Sequence, residues 1–364
     1  MIDLVRLPSQ PDEVAWPTEQ WPLGELPPGV DQGHFYGPLL ERPFGDEGVA
    51  AMGHTHALVV VHRGELVAER YGTWFVSELE ELAGKTPGPV HHDDTHLSWS
   101  MAKSILNAVV GVLVQQGRLD PADPAPLPYW PDPDDPRRAI TWDDLLQMRP
   151  GLQWVEEYYD FDNDALPDVV EMLYGTGRHD MAAFAAQFPL VNLPGSAESY
   201  NYSSGTSNLL AAATQRIIGG GEAGMRAFLD DEVFGPIGMT SARAEFDEAG
   251  TFVASSYVYA SARDFARFGL LYLRDGMWDG RRILPEGWVD RSRRPLSADE
   301  GIFHGAHWWA LADDLGTFCC HGFEGQRVLC VPALDLIVVR LGRTHTDMAP
   351  ALDAYLFEIV DQFR

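Results

Sequence analysis

Lysine is almost missing from this chain. Of its 26 basic residues only Lys85 and Lys103 are lysine; the other 24 are arginine. Cysteine is scarce too. Cys319, Cys320 and Cys330 cannot make a disulfide framework, which fits a reducing compartment. No run of about 18 apolar residues occurs, so no helix is expected to span a bilayer. Met1-Ile2-Asp3-Leu4-Val5-Arg6 lacks the basic stretch and apolar core of a secretory signal, and the cytoplasm is the expected location. Positive charge is in short supply, with 54 acidic residues against those 26 basic ones and a formal net charge of −28. Such a field repels phosphate backbones and anionic membranes, so neither is an expected partner. The acidity reads first as a well-solvated surface.

What is present reads as a folded protein. The 364 residues are 45% hydrophobic and 11% aromatic, enough for a sizeable core in one large domain or two lobes. The first 50 residues are rich in proline and glycine without a sustained period, and read as an arm packed on the rest. Two β-prone runs, Ala57–His62 and Leu66–Tyr71, flank Arg63-Gly64-Glu65 and suggest a hairpin. Met101–Gln116 is an apolar helix stopped by Gly117. Seven prolines between Pro121 and Pro136 demand an irregular loop. Helical patterns follow at 142–148, 169–174, 181–188, 208–218 and 262–274. Short β-prone runs at 327–331 and 336–341 precede a helix in the last 16 residues. Strands near both ends with helices between them suggest one sheet completed by both ends of the chain, with a helical lobe inserted. The expected division is an arm over 1–50, a sheet lobe over 51–95 and 225–364, and a mainly helical lobe over 96–224.

Several motif-like strings fail on context. Gly219-x-Gly221-x-x-Gly224 follows a helical run rather than a strand, so it reads as a helix-ending loop and not a dinucleotide site. Asp160-x-Asp162-x-Asp164 with Glu171 approaches a calcium loop, but Ala165 replaces the glycine and Pro167 stiffens the middle. The pairs His54/His56, His91/His92 and Cys319-Cys320 lack metal-site spacing, and no metal is expected. No Gly-x-Ser-x-Gly elbow is present.

Ser100-Met101-Ala102-Lys103 differs in kind. Three apart on a helix, the hydroxyl and the amine share one face. Serine attacks only when a base takes its proton, and a desolvated lysine can be neutral enough to do so, which arginine cannot. At a helix start the serine also has backbone N–H groups around it for an oxyanion. Later come Tyr202-Ser203-Ser204, at a loop-to-helix junction, and Cys320-His321-Gly322-Phe323-Glu324-Gly325-Gln326, opening a hairpin where glycine permits close backbone approach.

That order resembles the serine β-lactamase/penicillin-binding-protein superfamily. Within it the chain looks most like the class C β-lactamase-related hydrolases, namely family VIII carboxylesterases and 6-aminohexanoate-dimer hydrolases. The resemblance covers roughly residues 50–364, judged by where motifs can be placed. It is carried by Leu97–Ser104, Met148-x-x-Gly151-Leu152-x-Trp154-x-Glu156-x-Tyr158, Pro194-Gly195 with Tyr202-Ser203-Ser204, and Ala262–Gly269. Leu284–Trp288, Gly325-Gln326 and Val338–Gly342 complete it.

The resemblance implies an α/β (α+β) β-lactamase/transpeptidase-like fold, an antiparallel sheet flanked by helices, and a serine hydrolase working without a cofactor. Ser100 would be the nucleophile, Lys103 its base and Tyr202 the proton relay to the leaving group. The N–H groups of Ser100 and Phe323 would form the oxyanion hole. Tyr158, Asp168, Ser204, His321 and Gly322 would face the substrate, with Tyr158 and Asp168 suited to an amine. The chain departs from the pattern at Ser204, where the second motif has asparagine, at Pro150, where serine is usual, and at Cys320-His321-Gly322, which lacks the lysine of the third motif. Esters or small linear amides are therefore the expected substrates, ahead of a β-lactamase or D-alanyl peptidase activity or a non-catalytic binding role. The expected partner is that small molecule, and a homodimer is left open.

Overall fold

The computed structural model describes residues 4–82, 84–158, 166–299 and 302–364. Its centre is an eight-stranded antiparallel sheet. In chain order the strands are β1 (His54–His62), β2 (Glu65–Tyr71), β3 (Ser297–Asp299), β4 (Ile302–His304), β5 (Trp309–Ala310), β6 (Phe318–Gly322), β7 (Gln326–Val331) and β8 (Leu336–Arg343). Across the sheet they run β2-β1-β8-β7-β6-β5-β4-β3. The β1–β2 hairpin and the β7–β8 pair follow the sequence expectation. Strand β1 pairs with β8, Val59 opposite Val339, so the sheet is completed by chain from both ends of the sequence.

The apolar run Ala57–Val61 is explained by what covers the sheet. Ala57, Val59 and Val61 point into a core shared with Ile105, Phe265 and Phe268, whereas Leu58 and Val60 join Phe35, Met52, Leu356 and Ile359 on the other face. Both faces are dry, so alternation with polar residues is absent. On the second face lie α1 (Asp46–Met52) and α5 (Ala349–Asp361). Leu352, Tyr355, Leu356, Ile359 and Val360 of α5 recur at helical spacing and are buried together. Residues 4–50, expected as an arm, carry short helical turns, and α1 begins among them at Asp46 and runs on to Met52, which the proline and glycine content concealed.

On the first face lie α2 (Met101–Gln115) and α4 (Ala262–Leu273), with α3 (Ser204–Ile218) packed beyond. Helix α2 is buried from Met101 to Leu113, mostly through apolar side chains but with Lys103, Ser104 and Asn107 among them, as a central helix that carries functional groups must be. It stops one residue before the expected end. Gly117 takes φ 66°, with Gly117 N–H donating to Val114 and Arg118 N–H to Leu113, a doubly bonded helix stop that favours glycine. Helix α3 begins four residues earlier than its apolar pattern, because the Ser203 hydroxyl caps it by accepting from Thr206 N–H at 3.0 Å. Gly219 ends α3, as read from sequence. Strands β3–β5 were not foreseen; at two or three residues each they are too short to show alternation. The calcium-like string at 160–164 lies outside the described residues. Among the described residues no helix is long and apolar enough to cross a membrane, and no group of three or more metal-ligating side chains gathers.

Candidate active site

The start of α2 is held from below by a small sheet. His96–Leu97 pairs with Val258–Ala260, and Ser98 N–H donates to Val258 O at 2.8 Å. The chain then turns through Trp99, whose φ of 46° is left-handed and strained for a residue with a β-carbon. Ser100 follows as the N-cap of α2 and is partly exposed. The Ser100 hydroxyl is thus raised at the start of a buried helix.

Lys103, one turn on, is only 2% exposed. Its Nζ lies 2.9 Å from Ser100 Oγ, 3.0 Å from Ser204 Oγ and 2.9 Å from the Ser255 carbonyl oxygen. Burial disfavours the ammonium and pushes the Lys103 pKa down to about 8, although the Glu156 charge pulls the other way. An amine with this pKa is partly neutral near pH 7 and sits within reach of the serine proton.

Tyr202 stands beside this pair, with Lys103 Nζ 5.0 Å from the centre of its ring. Burial first, then the Glu156 charge, holds the phenol pKa well above its ordinary value, while the Ser100 side chain lowers it somewhat. The phenol is therefore neutral and able to donate. Its ring packs on Trp309 at 5.1 Å and against His304 at 5.7 Å.

Aromatic rings gather at Phe323. Tyr158 stacks on Phe323 at 4.5 Å, Phe323 meets Trp99 edge-on at 5.4 Å, and Trp99 faces Tyr257 at 6.5 Å. Gly322 ends β6 directly before Phe323. His321, in the same strand, faces Trp309 at 6.1 Å. Burial, assisted by the Arg327 charge, drives its pKa well below the usual imidazole value, so it is neutral. This strand carries no fixed positive charge where the third motif has lysine.

Two expected substrate contacts lie differently. Ser204 is fully buried, and its hydroxyl accepts from Lys103 Nζ and donates to Glu156 Oε1 at 2.6 Å rather than being exposed to a substrate. Asp168 sits in the first turn of a short helix, Asp168–Tyr174, where its Oδ2 accepts from Val155 N–H at 2.8 Å. Burial, and secondarily the Glu156 charge, raise its pKa.

Glu156 was absent from the expected site residues. It accepts from Ser204 Oγ, from Ser204 N–H at 2.8 Å, from Trp154 Nε1 at 2.7 Å and from Tyr158 Oη at 3.3 Å. Its carboxylate lies at the positive end of α3, where negative charge is favoured. Its signal in the sequence is the string Trp154-x-Glu156-x-Tyr158.

Comparison with known proteins places the chain in a family. The profile of the Beta-lactamase family matches residues 41–360, so the chain belongs to that family and is a serine hydrolase. It is 27% identical over 310 residues to the 6-aminohexanoate-dimer hydrolase of Paenarthrobacter ureafaciens, covering 79% of this chain and 72% of that protein. A Bacillus anthracis structure, provisionally named a 6-aminohexanoate-dimer hydrolase, superposes with a TM-score of 0.70 at 22% identity, covering 98% and 90% of the two chains. A penicillin-binding-protein homologue from Caulobacter crescentus gives 0.62 at 17% identity, covering 91% and 99%. These likenesses confirm the β-lactamase/transpeptidase-like fold.

Proposed function

We propose that this hydrolase cleaves carboxylic esters or small linear amides through an acyl-enzyme on Ser100. One observation carries the reading. A buried lysine with a lowered pKa has its amine 2.9 Å from the hydroxyl of a helix-start serine. As Ser100 Oγ bonds to the substrate carbonyl carbon, its proton passes to the Lys103 lone pair and the C=O π pair moves onto oxygen. The N–H groups of Ser100 and Phe323 hold that oxyanion. The tetrahedral carbon then expels the alcohol or amine, which takes a proton from Tyr202, and the Tyr202 oxygen is reprotonated from Lys103. Water then attacks the acyl carbon and gives a proton to the same groups; the bond from that carbon to Ser100 Oγ breaks, the proton returns to Ser100 Oγ and the acid departs. The scheme calls for no cofactor, and its partner is the small substrate alone.

Amide cleavage is supported by the name of the Paenarthrobacter relative. The test is a fluorophosphonate probe with peptide mapping, followed by turnover of p-nitrophenyl esters, 6-aminohexanoate dimer and nitrocefin. Labelling at Ser100, lost in Ser100→Ala with folding retained, is expected. Ser100→Ala should lose about 10⁴-fold or more in kcat, and retention of a tenth of the activity would end the assignment.

A further inference from the structure

We propose that Glu156, acting through the Ser204 hydroxyl, determines which way the Lys103 lone pair points and is a positioning residue for the base. This rests on the reading that Lys103 takes the Ser100 proton.

The inference follows from counting protons. A carboxylate only accepts hydrogen bonds, and a serine hydroxyl has one proton to give. Ser204 gives it to Glu156 Oε1 at 2.6 Å, so toward Lys103, 3.0 Å away, Ser204 Oγ can only accept. The Ser255 carbonyl, 2.9 Å from Lys103 Nζ, also can only accept. A neutral amine has two N–H bonds and one lone pair. Both N–H bonds are claimed, by Ser204 Oγ and Ser255 O. The lone pair is left for the third contact, the Ser100 hydroxyl at 2.9 Å. Were the Ser204 proton free, it would compete with Ser100 for that lone pair, and part of the neutral lysine would be aimed away from the nucleophile.

Glu156 is built to hold this arrangement. Both oxygens are engaged, Oε2 by Ser204 N–H and Trp154 Nε1, Oε1 by the Ser204 and Tyr158 hydroxyls. Where the family's second motif carries asparagine, a single amide could satisfy the amine. Here a serine and a carboxylate from a segment 48 positions away divide that task. The other titratable groups influenced by Lys103 are His304 and His307, held neutral chiefly by burial, with neutral Tyr202 over the amine. Glu156 is thus the charge that opposes the lowering of the Lys103 pKa.

The test uses Glu156→Gln and Ser204→Ala in the full chain, with thermal unfolding as a check of folding. Readouts are the pH dependence of p-nitrophenyl butyrate hydrolysis and of fluorophosphonate labelling. In the unmodified protein both rates should rise with pH through about 8. Glu156→Gln should lower kcat at least tenfold with little change in KM, and move the acid limb down by about one unit or more, because the neighbouring negative charge is gone. Ser204→Ala keeps that charge, so kcat should fall while the limb stays. Wild-type kcat in both variants would overturn the proposal, as would a fall in Glu156→Gln without movement of the limb. If the unmodified protein is not labelled at Ser100, both this and the reading beneath it fail. If it is labelled and the variants match it, this proposal alone fails.

Discussion

Gly322 and Ser98 are packed so closely that a β-carbon on Gly322 would stand 2.3 Å from the Ser98 carbonyl oxygen. That carbonyl belongs to the turn that lifts Ser100, so the end of β6 and the start of α2 fix one another. Gly322→Ala must push the turn aside. Overpacking of this kind costs about 1–3 kcal/mol, and small misplacement of reacting groups about a hundredfold in rate. The expected outcome is a lower unfolding temperature and a kcat/KM for p-nitrophenyl butyrate reduced to that degree. Equal kinetics in the two proteins would mean that the turn yields without moving Ser100.

Lys103→Arg separates a base from a mere ion-pair partner. Arginine keeps the charge but does not lose its proton in this pH range. Activity should collapse by several orders of magnitude, and the rise of kcat/KM through about pH 8 should vanish with it. The sign follows from the neutral amine being the active form, which grows as pH increases. Comparable kcat values would make Lys103 structural.

The readability of this site from sequence varied residue by residue. Ser100 and Lys103 share a helix, so their spacing alone predicts the contact. The hairpin at β1–β2 and the largely apolar α2 are legible because local pattern and final burial agree. Ser204 was read as facing substrate on the strength of the motif position, yet its hydroxyl turns inward to Glu156. Nothing local announces that pairing. It depends on a loop carboxylate meeting a helix start 48 positions later, a consequence of packing rather than of period. The short strands β3–β5 escaped for the opposite reason, having too few residues to display any period at all.

Substrate charge gives a third expectation. Penicillins carry a carboxylate, and the β6 strand offers it neutral His321 in place of a fixed cation. Losing a hydrogen bond to a charged group costs on the order of 1.5–3 kcal/mol, or roughly tenfold to more than a hundredfold in affinity. Neutral short-chain esters, or amides with a free amine, should therefore be turned over far better than benzylpenicillin or nitrocefin. Equal kcat/KM values would favour a β-lactamase instead.

Acid should destabilise the fold through a histidine cluster. His96 is 5% exposed, stacks on Trp74 at 4.7 Å and lies 5.5 Å from buried His56. Burial is the main cause that lowers both, His56 to about 3 (with the His96 charge next) and His96 to about 4. Unfolded histidine titrates near 6.5, so between there and about pH 4 the unfolded chain binds protons that the folded one refuses. Stability is thus present above about pH 6.5 and declines as pH falls, by a few kcal/mol across the window. His96→Phe should flatten the decline in urea midpoint between pH 7 and 5, and an unchanged slope would exclude the cluster as its source.

The pairing of β1 with β8 has a consequence for how the chain is born. The His54 carbonyl accepts from Arg340, 286 positions later, so β1 leaves the ribosome long before its neighbour exists. Closing so distant a contact is slow, and until it closes, Val59 and Val61 stand on a naked strand edge of the kind that recruits other chains. A nascent chain halted before residue 336 is left with that edge permanently open, and should aggregate rather than yield a smaller working enzyme.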